Sequence, residues 1–320
     1  MSQNIAAGKM FSHANRVFGA HLPITADVFI TNFCNNNCPY CTYKRWELDS
    51  DAKYMTAEEF EVYLERLLFI GVKGLILTGG GEPTVNPDFD KITEILEKNH
   101  VHYGINTNFN KLKYLRPDYL KVSLDAFDED SYEACRGVRR YGVVRENIQK
   151  YSEWKKKNSP KTALGIQKMV EDPDEAIKFY EANKDLDVDY MVFRPYESTN
   201  GKYYKDPENM EKSKNIVKTI KDLSKKDRRV NMNFKWDLID TRLDGCKANW
   251  TQIALNEYGE VMYCCHKPYE IVGHIMDSDI LEKKEKFVTN MAMCDVPCRL
   301  TAPTLEVEAM IEPKKDVYFI

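Results

Sequence analysis

The run Asn32-Phe-Cys-Asn-Asn-Asn-Cys-Pro-Tyr-Cys41 places Cys34, Cys38 and Cys41 within eight residues, spaced C-x3-C-x2-C, with Tyr40 just before the last thiol. Three thiolates this close can grip three corners of a cubic iron–sulfur cluster, leaving the fourth iron without a protein ligand. An open metal position is where chemistry happens. The competing reading of the same thiols is a zinc knuckle, which needs a fourth ligand nearby. No His or Cys lies between Cys41 and His100, and His21 is thirteen residues upstream of Cys34, so iron–sulfur ligation is the preferred reading.

Around this run, apolar β-rich stretches alternate with helical patterns. Residues 26–33 read as a strand that delivers the cysteines at its carboxyl end. Residues 56–70 read as an amphipathic helix, with Thr56 as N-cap and Glu59 closing a capping box. A strand over 74–78 ends in Gly79-Gly80-Gly81-Glu82-Pro83-Thr84, and a helix over 89–98 follows. Strands over 101–106 and 120–124 end in Asn106-Thr107-Asn108 and Asp125-Ala126. Then come a helix over 143–156, a strand over 163–170, a helix over 173–183, a strand over 189–193 ending in Arg194-Pro195, and a helix over 211–225.

Six strands alternating with helices imply a parallel sheet of βαβ units. The fold class expected is α/β, a partial (β/α)6 TIM-like barrel with a small C-terminal α+β module. The domains expected are a helical extension over 1–25, with Met10, Phe11, Val17 and Phe18 at helical spacing, the barrel over 26–231, and the module over 232–320. In that module 231–236 and 253–256 read as short strands, and Asn256-Glu-Tyr-Gly259 turns a hairpin into 260–263. Ligands of such sheets bind at the carboxyl ends of the strands, where each polar cluster above lies.

The chain has 320 residues, a net charge of −4 and a pI near 6.0, so no polybasic footprint points to nucleic acid. No stretch has the apolar length of a membrane span, and the first nine residues lack the apolar core of a secretory signal. A cytoplasmic protein is expected. In a reducing compartment its nine cysteines read as metal ligands before disulfides. Cys135 stands alone and reads as a buried small hydrophobe. Cys246, Cys264, Cys265, Cys294 and Cys298 form a second group, whose sulfurs suit zinc or iron–sulfur alike.

The cysteine run and the strand-end motifs together resemble the radical SAM superfamily over nearly the whole chain. The resemblance implies that Cys34, Cys38 and Cys41 hold a [4Fe–4S] cluster whose open iron is chelated by S-adenosylmethionine. Reductive cleavage of the sulfonium then gives methionine and a 5′-deoxyadenosyl radical, which abstracts a hydrogen atom from the substrate. Gly80-Gly81-Glu82 resembles the family's GGE motif, which binds the methionine amino group; glycines admit close backbone approach, and a carboxylate partners an ammonium. Asn106 and Asn108 match a position that contacts the nucleoside or methionine part, and Ser123 with Arg136 resembles a pair that holds the methionine carboxylate. A surface salt bridge is the other reading of Arg136. Gln167 and Arg194 would reach the same mouth, toward S-adenosylmethionine or substrate, or serve the sheet end structurally.

The second cysteine group resembles the shortened SPASM module called twitch, which carries one auxiliary [4Fe–4S] cluster, here with Cys246, Cys264, Cys294 and Cys298 as ligands. Cys264 follows the hairpin turn as the family ligand does. Cys265 is left as a buried thiol or as a hydrogen-atom donor to a substrate radical. The resemblance implies an oxidoreductase or maturase that dehydrogenates a small molecule or cross-links a peptide, with a flavodoxin- or ferredoxin-type electron donor. Redox-neutral epimerisation or rearrangement of a peptide or nucleotide is the alternative within the enzyme class. The Gly-Gly tail of the molybdenum-cofactor cyclase is not found at Val317-Tyr-Phe-Ile320. The alternative outside that class is a non-catalytic zinc or iron–sulfur protein.

Overall fold

In strand β1 (Thr25–Phe29), Ala26 and Val28 enter the main core while Phe29 packs on the opposite side against Ala254 and Met262. A strand buried on both faces belongs inside a parallel sheet covered by helices. The computed structural model describes residues 21–41, 43, 51–197, 203–291, 294 and 298–311. After β1 come α1 (Ala57–Phe69), β2 (Gly74–Thr78), α2 (Phe89–Lys98), β3 (His102–Thr107), β4 (Tyr119–Val122), α3 (Glu129–Arg136), α4 (Tyr141–Asn158), β5 (Ala163–Val170), α5 (Pro173–Asn183), β6 (Tyr190–Pro195), α6 (Pro207–Lys226) and β7 (Val230–Met232). Strands β1 to β7 pair in sequence order, all parallel, which makes the partial TIM-like barrel.

The sheet continues past β1 on its other edge. β8 (Gln252–Leu255) pairs parallel to β1, β9 (Glu260–Met262) antiparallel to β8, and β10 (Ile271–His274) antiparallel to β9. Helices α7 (Ile280–Lys286) and α8 (Thr301–Ile311) complete the described chain. The hairpin turn is the expected one: Asn256 Oδ1 accepts from the backbone N–H of Tyr258 at 3.0 Å and of Glu260 at 2.9 Å.

The capping box at Thr56 and Glu59 forms as read. Residues 231–236 correct the sequence reading, because the strand ends at Met232 and Phe234–Leu238 is a 3-10 turn. Asn233 causes the break. Its side-chain oxygen accepts from the Lys235 N–H, an alternative to strand pairing that Asn offers readily. Trp236 then donates its indole N–H to Phe193 O at 3.0 Å, locking the turn under β6. The positions Met10, Phe11, Val17 and Phe18 lie outside the described residues.

Apolar faces of the helices cover the outside of the sheet. Leu64 and Leu67 of α1, Ile92 and Leu96 of α2, Ile148 of α4, Phe179 of α5 and Ile220 of α6 are buried in one core with Leu77, Ile105, Val122, Ile166 and Phe193. Each such side chain contributes roughly 1.5–3 kcal/mol of burial free energy. Among the described residues no helix is long and apolar enough to cross a membrane.

One group in the hairpin opposes folding. Glu257 is buried and its Oε2 lacks a hydrogen-bond partner. Burial pushes its carboxyl up to about 7. A carboxyl raised in this way leaves stability untouched below its unfolded value and lowers it as pH rises through 7. Glu257→Gln is expected to stabilise the fold by roughly 2–3 kcal/mol at pH 8 and to change little at pH 4, measured by urea unfolding at both.

Candidate active site

The cysteine loop leaves β1 and is clamped by backbone hydrogen bonds from both sides. On one side Gly81 N–H donates to Thr31 O at 2.9 Å and Glu82 N–H to Phe33 O at 2.8 Å. This contact requires glycine, since a Cβ at Gly81 would stand 1.9 Å from Phe33 O. On the other side Asn37 N–H donates to Arg136 O at 2.8 Å, at the end of α3. Gly137 caps that helix with a left-handed φ of 71°, and a Cβ there would meet Asn37 O at 2.3 Å.

Between these clamps, Cys34, Cys38 and Cys41 line one cleft at the carboxyl ends of the strands, together with Gly80, Gly81, Glu82, Asn106, Asn108, Ser123, Arg136 and Cys265. An adjoining cleft of about 900 Å³ shares Cys38, Cys41, Ser123 and Arg136, and adds Tyr40, Gln167, Arg194 and Glu197. The structure thus brings every barrel residue that the resemblance assigned to the cluster or the cofactor to one mouth.

Cys34 is exposed as a residue, yet the protein crowded around its sulfur pushes the thiol up to about 12, and Glu82, Cys38 and Cys41 reinforce the rise. Ionising all three thiols needs positive charge among them, which an iron–sulfur cluster supplies, so the donor set fits that group. Among the described residues no three Cys, His, Asp or Glu side chains surround one point closely enough for a single ion. A cluster instead takes each thiolate at a separate corner.

Glu82 is buried, with four donors on its carboxylate. Oε1 accepts from Thr84 N, Thr84 Oγ1 and Thr107 Oγ1 at 3.2, 2.7 and 2.5 Å, and Oε2 accepts from Asn108 N at 2.7 Å. Burial raises its pKa although each of these donors lowers it. Asn108 donates to Asn35 Oδ1 at 2.7 Å and lies 3.9 Å from Cys34 Sγ. Asn106 donates to Thr78 Oγ1 at 3.3 Å, and its own Oδ1 is buried without a partner. Gln167 donates to Ser123 Oγ at 3.2 Å, and its Oε1 is likewise unpartnered.

Arg136 is not a surface residue. It is 7 % exposed and ion-paired with buried Asp125. Burial alone would weaken its protonation, but the Asp125 carboxylate outweighs this and holds the guanidinium well above its ordinary range. Its Nη1 stands 3.7 Å from Cys38 Sγ, and it lies over the Tyr40 ring at 5.9 Å. Asp125 adopts a left-handed φ of 54°, which lets its other oxygen accept from the Met169 N–H.

Arg194 pairs with Glu197 at 2.8 Å, and Lys235 and His266 converge on the same carboxylate. Burial would raise the Glu197 pKa, but these cations hold the carboxyl far below the usual range. Deeper in the barrel Asp27 pairs with Arg299, whose Nη2 stands 3.3 Å from Cys265 Sγ. Sequence reasoning passed over Asp27, Lys121, Glu197, Lys235 and Arg299. The available signal was a charge at an inward position of an apolar strand, as in Thr25-Ala-Asp-Val-Phe29 and Tyr119-Leu-Lys-Val122.

The second cysteine group meets in its own pocket of about 620 Å³, lined by Cys246, Cys264, Cys294 and Cys298 with Tyr263, Lys267 and Leu300. Burial pushes the Cys246 thiol up to about 12, and Cys298 and Cys294 add to it. Buried Lys284 stands by this group, donating to Asn249 Oδ1 at 2.9 Å and Tyr263 O at 2.7 Å. Four thiols around one pocket fit a fully ligated cluster. Cys265, one residue on from Cys264, lines the first cleft and not this pocket. Cys135 sits apart, partly buried against the core, with its Sγ 3.6 Å from Tyr132 O.

Sequence comparisons find relatives over part of the chain. The probable GTP 3′,8-cyclase of Pyrococcus horikoshii is 32 % identical over 130 residues, 38 % of this chain and 41 % of its own length. The S-adenosyl-L-methionine-dependent tRNA 4-demethylwyosine synthase of Methanocaldococcus jannaschii is 27 % identical over 204 residues, 51 % of this chain and 62 % of its own. The chain thus spans less than two thirds of the length of the curated relatives it matches. Among solved structures, Streptococcus suis SuiB bound to precursor peptide SuiA covers 93 % of this chain and 75 % of its own, with TM-score 0.60 and 16 % identity. Native anSMEcpe with bound AdoMet covers 85 % of this chain and 83 % of its own, with TM-score 0.62 and 17 % identity. Both likenesses are of fold. Residues 28–180, from β1 through most of α5 and including the cysteine loop, match the family model described as the Radical SAM superfamily, so the chain carries a domain of that superfamily.

Proposed function

We propose that this radical SAM enzyme works with two clusters, one beside S-adenosylmethionine in the barrel cleft and one in the C-terminal pocket, and that its outcome is oxidative. The observation that carries the reading is the split of two adjacent thiols: Cys264 lines the pocket with Cys246, Cys294 and Cys298, while Cys265 lines the cleft with Cys34, Cys38 and Cys41. When bound, the first cluster and S-adenosylmethionine supply a 5′-deoxyadenosyl radical.

The protein's own groups bind and orient. Arg136, fixed by Asp125, has a buried Nε without a partner and offers it to the cofactor's carboxylate. Glu82, immobilised by Thr84, Thr107 and Asn108, presents a fixed carboxylate to its ammonium. The free oxygens of Asn106 and Gln167 serve as acceptors for the cofactor's hydroxyl and amino groups. Cys246, Cys264, Cys294 and Cys298 would hold the auxiliary cluster and give it the role of electron acceptor. The substrate is a small molecule or a peptide, and a flavodoxin- or ferredoxin-type protein supplies the first electron. The likeness to SuiB, solved with a precursor peptide, supports a peptide.

A redox-neutral cyclisation is the second reading, favoured by the sequence match to GTP 3′,8-cyclases over 38 % of the chain. Anaerobic reconstitution is expected to load about eight irons per chain. Dithionite should then release 5′-deoxyadenosine, with deuterium transferred from a labelled substrate. Cys264→Ala should lose about half of the iron, and Cys265→Ala none of it. Zinc in place of iron, or iron loss confined to Cys265→Ala, refutes the two-cluster assignment. A product lighter by two hydrogens supports oxidation, and one of unchanged composition supports the cyclisation.

A further inference from the structure

We propose that the floor of the barrel cleft carries an oxyanion subsite, built from Lys121, Arg194 and Lys235, that takes a carboxylate or phosphate group of the substrate. The inference rests on reading this cleft as the place where substrate meets the cofactor. Lys121 pairs in register with Asn106 of β3 and Gly165 of β5, and lies two residues before Ser123 on the same face of β4. Asn106 and Ser123 both line the cleft, so Lys121 lies level with Asn106 in the sheet and one step beneath Ser123. It has no hydrogen-bond or ion-pair partner among the described residues.

The charges acting on Lys121 are Arg194, Lys235 and Arg299, against Glu197. Glu197 is already shared among Arg194, Lys235 and His266, and Arg299 is neutralised by Asp27. Lys121, Arg194 and Lys235 therefore have one carboxylate between them. Burial and these neighbours push the Lys121 ammonium down to about 7. Unbalanced charge in a poorly solvated site is costly, and a bound anion removes the cost. The Arg136–Asp125 pair in the same cleft is already balanced and leaves this excess untouched.

The subsite can be tested by calorimetry on the reconstituted holoenzyme with S-adenosylmethionine, using inorganic pyrophosphate and malonate as separate probes. At least one should bind, and Lys121→Met and Arg194→Gln should each weaken it by about tenfold or more. Binding of pyrophosphate alone points to a phosphate-bearing substrate, and of malonate alone to a carboxylate. Lys150→Met, on the exposed face of α4, should leave the affinity unchanged. Lys121→Met removes an unpaired charge, so it should melt no lower than the wild type in the absence of anion and lose the stabilisation the anion gives. Failure of both probes to bind, or affinities unchanged in Lys121→Met and Arg194→Gln, overturns the proposal. Deoxyadenosine release by the wild type without substrate reads the cofactor chemistry separately. Its absence alongside intact anion binding would overturn the cofactor reading and leave the subsite standing.

Discussion

Cys38→Ala is expected to abolish deoxyadenosine formation and to remove about half of the iron of the reconstituted protein. The fold should survive the change. The loop that carries Cys38 is held by main-chain bonds from Gly81, Glu82 and Asn37, none of which uses a thiol. The variant should therefore melt near the wild-type apoprotein while losing activity altogether, which separates a ligand from a structural cysteine. Arg136 makes the position more demanding than its neighbours, because its Nη1 stands 3.7 Å from Cys38 Sγ. Serine keeps the shape but not the thiolate that holds cluster iron, so even Cys38→Ser should fail to restore cluster loading. Iron content, the visible charge-transfer absorption and deoxyadenosine under dithionite check the result. Activity retained at the wild-type level in Cys38→Ala would show that these thiols do not hold the cluster that acts on S-adenosylmethionine.

Local patterns carried much of the fold. Residues 74–78, 89–98, 163–170 and 173–183 form their elements with the bounds the sequence indicates, because each is an apolar period closed by its own cap or turn. Helix α3 was not legible. It is eight residues long and polar, and it exists through a capping box at Asp128 and the left-handed Gly137 against the cysteine loop. Helix α8 shows no amphipathic period. The cysteine loop and the strand-end clusters were legible because each is a short motif. Their wiring was not, since it depends on partners far apart in sequence. Glu197 meets Lys235 across 38 residues and Asp27 meets Arg299 across 272.

The two kinds of comparison divide the chain in an informative way. Sequence identity to the cyclases covers 38 % of the chain, whereas the structural likeness to anSMEcpe and SuiB covers 85 % and 93 %. A match of 93 % cannot be confined to 28–180, so the shared fold extends past β7 into the strands that neighbour the second cysteine group. Sequence divergence there is compatible with a retained fold, because β8 is fixed by main-chain pairing to β1 and β9 by pairing to β8, and both need only apolar inward residues.

Arg299→Leu is expected to destabilise the protein by roughly 3–5 kcal/mol and to loosen the C-terminal pocket with it. Arg299 enters the barrel from the C-terminal segment and meets Asp27, which is 2 % exposed at the centre of β1. Burial opposes the guanidinium's charge, but the Asp27 carboxylate more than compensates and holds it well above its ordinary range. Removing the arginine leaves a carboxylate buried with no counter-charge, which is far worse than removing both partners. Arg299→Leu combined with Asp27→Asn should therefore recover most of the loss, with a coupling of about 2 kcal/mol or more in a double-mutant cycle by urea unfolding. Cys298 immediately precedes Arg299, and Leu300 N–H donates to its sulfur at 3.4 Å, so the ion pair also sets where that thiol lies. The single variant should consequently lose auxiliary-pocket iron, and the double variant should regain part of it. Recovery of stability without recovery of iron would mean that the arginine positions Cys298 by its length and not by its charge. Failure of Asp27→Asn to relieve the loss would mean that packing, and not the ion pair, holds the C-terminal segment against the barrel.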